Sequence, residues 1–273
     1  MFKTVFYTVH SRKLPAEFDN YRITHLSDLH GAVYGQNHRK LIQKIRQTNP
    51  NLVVMTGDMA DYSFGSIPHL LDLCRQICRY YPVYCVLGNH EQEMSKKKLD
   101  LLLAGLKSLG VVVLENQSCI LSHHGASVKL YGLQLPMVYY KDPLKEYKKD
   151  MELSVSDVRK RLGPLDDTGY SILLAHNPLY YPAYRDWGAD LTLSGHVHGG
   201  IIRIPGKGGL LSPDVTFFPK YDGGHFRENG KDLIVSRGLG NHFLVRVMNP
   251  PELLVVTLHR SLAISTKLKN SFL

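Results

Sequence analysis

The chain has 273 residues, 44% of them hydrophobic, which is enough for a sizeable core and excludes disorder as its general state. A formal charge of +9 and a pI of about 9.3 favour anionic partners such as phosphate esters, nucleic acid or an acidic membrane surface. No apolar run is long enough for a signal peptide or a membrane span, so the expected location is the cytoplasm, with association to an anionic membrane or lipid left open.

Cys74, Cys78, Cys85 and Cys119 form no Cys-x-x-Cys pair and sit mostly in apolar contexts, as reduced core cysteines do. No repeat or low-complexity linker interrupts the chain. A single domain over 1–273 is expected, with a polar, basic tail at 261–273.

Tyr7 to Phe18 reads as an opening strand and loop. Tyr21 to Ser27 is a short strand running into Asp28-Leu-His30. Asp28 and His30 are two apart, so in an extended chain both face one side, an oxygen and a nitrogen donor at a strand end. Leu41, Ile42 and Ile45 predict a helix over 37–48, closed by Asn49-Pro50. The apolar run Leu52 to Met55 then stops at Gly57-Asp58, the pattern of a buried strand ending in a turn. This strand–helix–strand order predicts parallel pairing, with Asp58 at the same sheet edge as Asp28 and His30. Asp61 is either a carboxylate orienting a ligand or a helix cap.

A helix over 67–80 leads to the strand Val83 to Leu87 and then Gly88-Asn89-His90-Glu91. Leu99, Leu102, Leu103, Leu106 and Leu109 predict a helix packed on the sheet rather than on a membrane. Val111 to Leu114 is a strand, and 118–133 a hairpin around His123-His124-Gly125. Residues 135–149, with Tyr139, Tyr140, Lys141 and Lys145, read equally as a loop over an anionic substrate or a basic surface segment. A helix over 155–162 precedes the strand Tyr170 to Ala175, which ends in His176. The strand Asp190 to Ser194 ends in Gly195-His196-Val-His198. The remainder is β-rich and turn-rich.

Five strand ends therefore carry Asp28/His30, Asp58, Asn89/His90, His176 and His196/His198. These oxygen and nitrogen donors suit Mn²⁺, Fe or Zn²⁺ better than Ca²⁺ or Cu(I), and they exceed the needs of one ion. Two ions sharing one carboxylate fit the count.

Asp28-Leu-His30, Gly57-Asp58-Met-Ala-Asp61, Gly88-Asn-His-Glu91, His176 and Gly195-His-Val-His198 stand in this order. The chain thereby resembles the calcineurin-like metallophosphoesterases, over about residues 22–258. Ser236-Arg-Gly-Leu-Gly240 and Pro251-Glu252 resemble a bacterial branch that includes cell-wall phosphoesterases and UDP-2,3-diacylglucosamine hydrolases. Many members carry Gln where this chain has Ile201, and many carry an N-terminal signal or anchor.

The resemblance implies a four-layer α-β-β-α sandwich of two mixed sheets. It places one metal on Asp28, His30, Asp58 and His198 and the other on Asp58, Asn89, His176 and His196, with Mn²⁺ foremost. It implies a phosphodiester or pyrophosphate hydrolase in which a metal-bridging hydroxide attacks phosphorus. His90 would act on the leaving group, and Glu91 would orient a neighbouring histidine. A lipid-linked nucleotide such as UDP-2,3-diacylglucosamine is the alternative substrate, and a non-catalytic binding module the alternative class. Substrate contacts are weaker candidates: Tyr139, Tyr140, Lys141, Arg203 and Arg237, with His225 and His242 in segments able to rim a cleft. A phosphate-containing substrate is the expected partner, and there is no strong nucleic-acid signal.

Overall fold

The computed structural model describes residues 2–61, 65–140, 151–166, 168–200, 202–204, 206–211, 217–240 and 246–262. Lys141, Lys145, Ile201, His242 and most of the C-terminal tail lie outside them.

The first half alternates strands and helices. The strands are β1 (Lys3–Ser11), β2 (Tyr21–Leu26), β3 (Leu52–Thr56), β4 (Val83–Val86) and β5 (Val112–Val113). Between them lie α1 (Arg39–Thr48), α2 (Ser66–Ile77), the short α3 (Asn89–Gln92) and α4 (Lys96–Ser108). The second half holds β6 (Gln117–His123), β7 (Ala126–Leu133), α5 (Val155–Leu162), β8 (Ser171–Ala175), α6 (Tyr181–Trp187) and β9 (Leu191–Ser194). It continues with β10 (Arg203–Ile204), β11 (Gly208–Gly209), β12 (Gly224–Glu228), β13 (Lys231–Val235) and β14 (Glu252–Arg260).

Two six-stranded mixed sheets result, ordered β1-β14-β2-β3-β4-β5 and β12-β13-β9-β8-β7-β6. Alternation along the strands assigns the layers. Leu52 and Val54 of β3 join Leu130, Ile172, Leu174 and Leu193 in the core between the sheets. Val53 and Met55 face the other way, onto Leu41, Ile45, Leu70, Leu73, Leu102 and Leu106 of the helices. On the far sheet Leu173, Leu233 and Val235 meet Val158 of α5 and Tyr181, Tyr184 and Trp187 of α6. The central strands of both sheets are covered on both faces, which is why they read as continuous apolar runs. The layers are α-β-β-α, the sandwich expected.

Three details depart from the sequence reading. The opening strand begins at Lys3, because β1 pairs in parallel with β14 from the far end of the chain. Helix α6 has no clear sequence signal: seven residues starting Tyr-Pro show little periodicity, and it is held by burial of its aromatic rings. In α4 only Leu102 and Leu106 are fully buried, while Leu101 is exposed. All four cysteines are free.

β2, β3 and β4 run parallel, as do β7, β8, β9 and β13. Their C-terminal ends are therefore the places where loops of both sheets converge.

Candidate metal centre

Backbone shape comes first. Asp28, His30, Asp58, His196 and His198 all have positive φ, between 47° and 69°. Side chains two apart do not converge here because the chain is extended, as the sequence reading had it. They converge because each strand ends in left-handed residues that turn donors back over the sheet edge. Such conformations are costly for residues other than glycine and persist where the surroundings enforce them.

Here the enforcement is visible. Asp28 N donates to Gly57 O and His30 N to Asp58 O, at 3.0 Å each, locking the β2 loop onto the β3 loop. Asp28 accepts from His196 N at 3.0 and 3.2 Å, and Asp58 Oδ1 accepts from His90 N at 2.8 Å. Gly195 N donates to His176 O at 3.0 Å. Two glycines allow the loops to meet. A Cβ on Gly57 would lie 2.5 Å from Gly88 N, and one on Gly195 would lie 1.9 Å from Ser27 Oγ.

Three donor groups result: Asp28/His30/His198, His30/Asp58/His90 and Asp58/His176/His196, each with its ligand atoms within 4.8 Å of one another. All these residues are buried. His30 Nε2 and His198 Nε2 are 3.2 Å apart, and His198 Nε2 is 3.6 Å from Asp28 Oδ1. His176 Nε2 lies 3.1 Å from Asp58 Oδ2, and His90 Nε2 lies 3.9 Å from the same oxygen.

Electrostatics follow from this crowding. Burial raises the Asp28 carboxyl, and repulsion from Asp58 adds to it. Burial also pushes against ionisation of Asp58, but the adjacent His176 outweighs it and holds Asp58 well below the usual carboxylate range. In return Asp58 lifts His176 to about 10 against its burial. Burial, with His30 and Arg246 nearby, pushes His198 well down.

The fit to a cation can be tested on lone pairs. His176 Nδ1 sits 2.6 Å from Thr56 O and must carry a proton there, so Nε2 is the atom turned toward the Asp58 carboxylate, where it holds a second proton that Asp58 stabilises and that a cation would replace. Asn89 Oδ1 is buried and has no donor. Both features suit a positive ion, and Asp, Asn and His are a donor set for borderline divalent metals. His198 is different. Arg246 Nη2 donates to its Nδ1 at 3.0 Å, which puts the ring proton on Nε2. A cation on Nε2 would require the ring proton to move to Nδ1, which removes the guanidinium's acceptor.

Other expectations are placed as follows. Asp61 Oδ2 lies 4.0 Å from His30 Nδ1, while helix α2 is capped by Gly65, so Asp61 faces a ligand candidate rather than capping. Glu91 orients no histidine: its carboxylate accepts from the backbone N–H of Asp58, Ala60 and Gly88 at 2.8–2.9 Å. Burial and the Asp58 charge push it up to about 7.

Tyr140 packs on His176 and His196, with ring centroids 6.0 and 5.3 Å away. Tyr139 is buried against Tyr180. Arg203 pairs with Asp222 at 3.0 Å, and Arg237 with the buried Glu252. His225 pairs with Asp232 at 2.7 Å, on β12 and β13. Thr56 and Arg246 were not foreseen. Thr56 acts through its backbone oxygen, which any residue type supplies, and Arg246 sits 48 residues beyond the histidine it touches.

Comparison with known proteins agrees with this architecture. A sequence model of the family described as calcineurin-like phosphoesterase matches residues 21–200. The chain is 29% identical to the metallophosphoesterase YkuE of Bacillus subtilis, over 94% of this chain and 86% of that protein. It is 30% identical to Bacillus subtilis YpbG, over 85% and 79%. It is 24% identical to the phosphodiesterase YaeI of Escherichia coli, over 78% and 72%. Among solved structures, the NAD nucleotidase NadN of Haemophilus influenzae aligns over 81% of this chain and 45% of that one, with 18% identity and a TM-score of 0.50. The converging strand ends and the match across residues 21–200 place the chain in the calcineurin-like phosphoesterase family, the metal-dependent hydrolases of phosphoesters.

Proposed function

We propose that the protein is a binuclear metal-dependent phosphodiesterase. One ion would be held by Asp28, His30, Asp58 and His198, the other by Asp58, Asn89, His176 and His196. The observation that carries this is the position of Asp58, which belongs to two of the three donor groups and faces Nε2 of His176. The mixed carboxylate, amide and imidazole donors suit Mn²⁺, Fe or Zn²⁺, and the family resemblance makes Mn²⁺ the first to test. Bound there, two divalent ions supply an activated water and charge neutralisation for the phosphoryl oxygens.

The chain's own residues do the rest. Thr56 fixes the His176 tautomer through Nδ1, and Asp61 faces His30 Nδ1. Glu91 holds the backbone of the Asp58 loop, so the shared carboxylate keeps its position. His90 has its backbone anchored on Asp58 Oδ1 and its ring edge-on to His30 at 4.8 Å. It serves as proton donor to the leaving oxygen, a role that needs a titratable group beside the metals but free of them. Burial of the cluster keeps bulk water from its donors. The name of the Escherichia coli relative supports diester over monoester.

The test is turnover of bis-p-nitrophenyl phosphate and p-nitrophenyl phosphate before and after EDTA, with Mn²⁺ added back. The expected result is loss with EDTA, recovery with Mn²⁺ and preference for the diester. Full activity in EDTA would overturn the metal assignment, and monoester preference would overturn the diester assignment.

A further inference from the structure

A small sheet stands directly on the Gly195–Gly200 turn. Ile202 bridges Val247 in parallel, and β10 pairs antiparallel with β11. Leu210 N donates to Ile202 O at 2.7 Å, Leu211 pairs with Phe217, and Phe218 N donates to Leu210 O at 3.0 Å. This register puts Val247, Ile202, Leu210 and Phe218 in one row across four segments, where side chains share a face. The sheet is fastened to the metal centre. Asn249 Nδ2 donates to His198 O and to Gly200 O at 2.6 Å each, and Arg203 Nη1 donates to Gly199 O at 3.0 Å.

Its outer side chains are apolar and uncovered. Phe217 is 68% exposed, Met248 67%, Phe218 53%, Val247 44% and Ile202 38%. Five large hydrophobic residues on one small unit are unlike the scattered exposed residues of an ordinary surface and mark an interaction site. Two of them are also strained: Phe218 has φ 47° and Met248 φ 54°, conformations rare for bulky residues.

The described charged residues on the sheet's own segments are Arg203, Lys207 and Arg246, and the carboxylate of Asp222 accepts from Gly209 N of β11. Arg203 is paired with Asp222 and Arg246 is turned inward onto His198, so the outward cation is Lys207, exposed at the β10–β11 turn. Apolar tips with an exposed lysine beside them match the interface of an anionic bilayer, where rings and thioethers enter the acyl boundary and Lys meets the headgroups. Among the described residues no helix is long and apolar enough to cross a membrane, so attachment through this face would be interfacial.

We infer that this four-segment sheet docks the protein on an anionic lipid surface, with the metal centre at the contact. The inference goes beyond the hydrolytic reading and is measured without turnover. The probe is co-sedimentation of the full chain with vesicles of phosphatidylcholine alone or with about one-third phosphatidylglycerol. Phe218→Asn with Met248→Asn is the main variant, because asparagine accepts left-handed backbone and both side chains are more than half exposed.

The wild type is expected to sediment with the anionic vesicles and less with the neutral ones. The double variant should bind at least about tenfold more weakly, and Lys207→Glu several-fold more weakly on anionic vesicles only. Thermal melting and hydrolysis of bis-p-nitrophenyl phosphate should match the wild type, because neither residue belongs to the metal centre. Wild-type protein that stays in solution, or a double variant that sediments equally, would overturn the inference. Light scattering that shows a wild-type dimer and a monomeric double variant would also overturn it, assigning the face to a second copy of the chain.

Discussion

His176 points Nε2 at Asp58 Oδ2 across 3.1 Å while its Nδ1 is tied to the Thr56 carbonyl at 2.6 Å. An imidazole oriented in this way has only Nε2 left for a second proton or a cation, and here Nε2 faces a carboxylate. The pair is stable with a proton or a cation between the two groups, and Asp58 is the carboxylate that both proposed ions share.

Asp58→Asn tests the sharing. The amide oxygen can still accept from His90 N, so the loop is retained while the charge is removed. Metal content by mass spectrometry should fall toward zero and kcat/KM by a factor of about a thousand or more. Near-normal turnover would end the assignment.

His90→Ala separates two roles, because His90 also groups with His30 and Asp58. As the proton donor it should lower kcat about a hundredfold or more with metal content unchanged. Loss of metal in this variant would make it a ligand instead.

Glu91→Ala should cost stability before it costs chemistry. It leaves the backbone N–H groups of Asp58, Ala60 and Gly88 without their acceptor in a buried place. The expected loss is about 3 kcal/mol or more in chemical denaturation. A denaturation midpoint equal to that of the wild type would show that other acceptors take over.

His25 sets part of the acid limit. It is fully buried, bonds Thr56 Oγ1 at 2.7 Å, and burial pushes its pKa down to about 3 from 6.5. Below pH 6.5 the unfolded chain binds a proton that the folded protein refuses, so stability falls as pH drops from about 6.5 to about 3. The expected contribution at pH 5 is about 2 kcal/mol. His25→Gln keeps a donor for Thr56 and should flatten the dependence of Tm on pH in that window. An unchanged slope would remove His25 as its source.

Arg246→Met removes a cation from Nδ1 of His198. Because Arg246 opposes a positive ion at the neighbouring donors, the variant should bind Mn²⁺ about tenfold more tightly by calorimetry. Weaker binding would mean that the guanidinium holds His198 in the geometry the ion needs.

The central strands, the parallel order of β2, β3 and β4, and the convergence of five strand ends were legible in the chain itself. Apolar runs that stop at glycine before Asp, Asn or His encode both a buried strand and a donor at its end, since hydrophobic burial and strand termination are local properties. Helix α6 and the pairing of β1 with β14 were not legible, because both depend on partners remote in sequence. The same division runs through the centre. Sequence determined which residues carry oxygen and nitrogen donors. Tertiary structure decided that Asp28, His30, Asp58, His196 and His198 turn through left-handed backbone, that Glu91 serves the main chain, and that Arg246 reaches His198. Those outcomes arise from loops of two sheets pressed against one another, and no stretch of chain contains both sides of that contact.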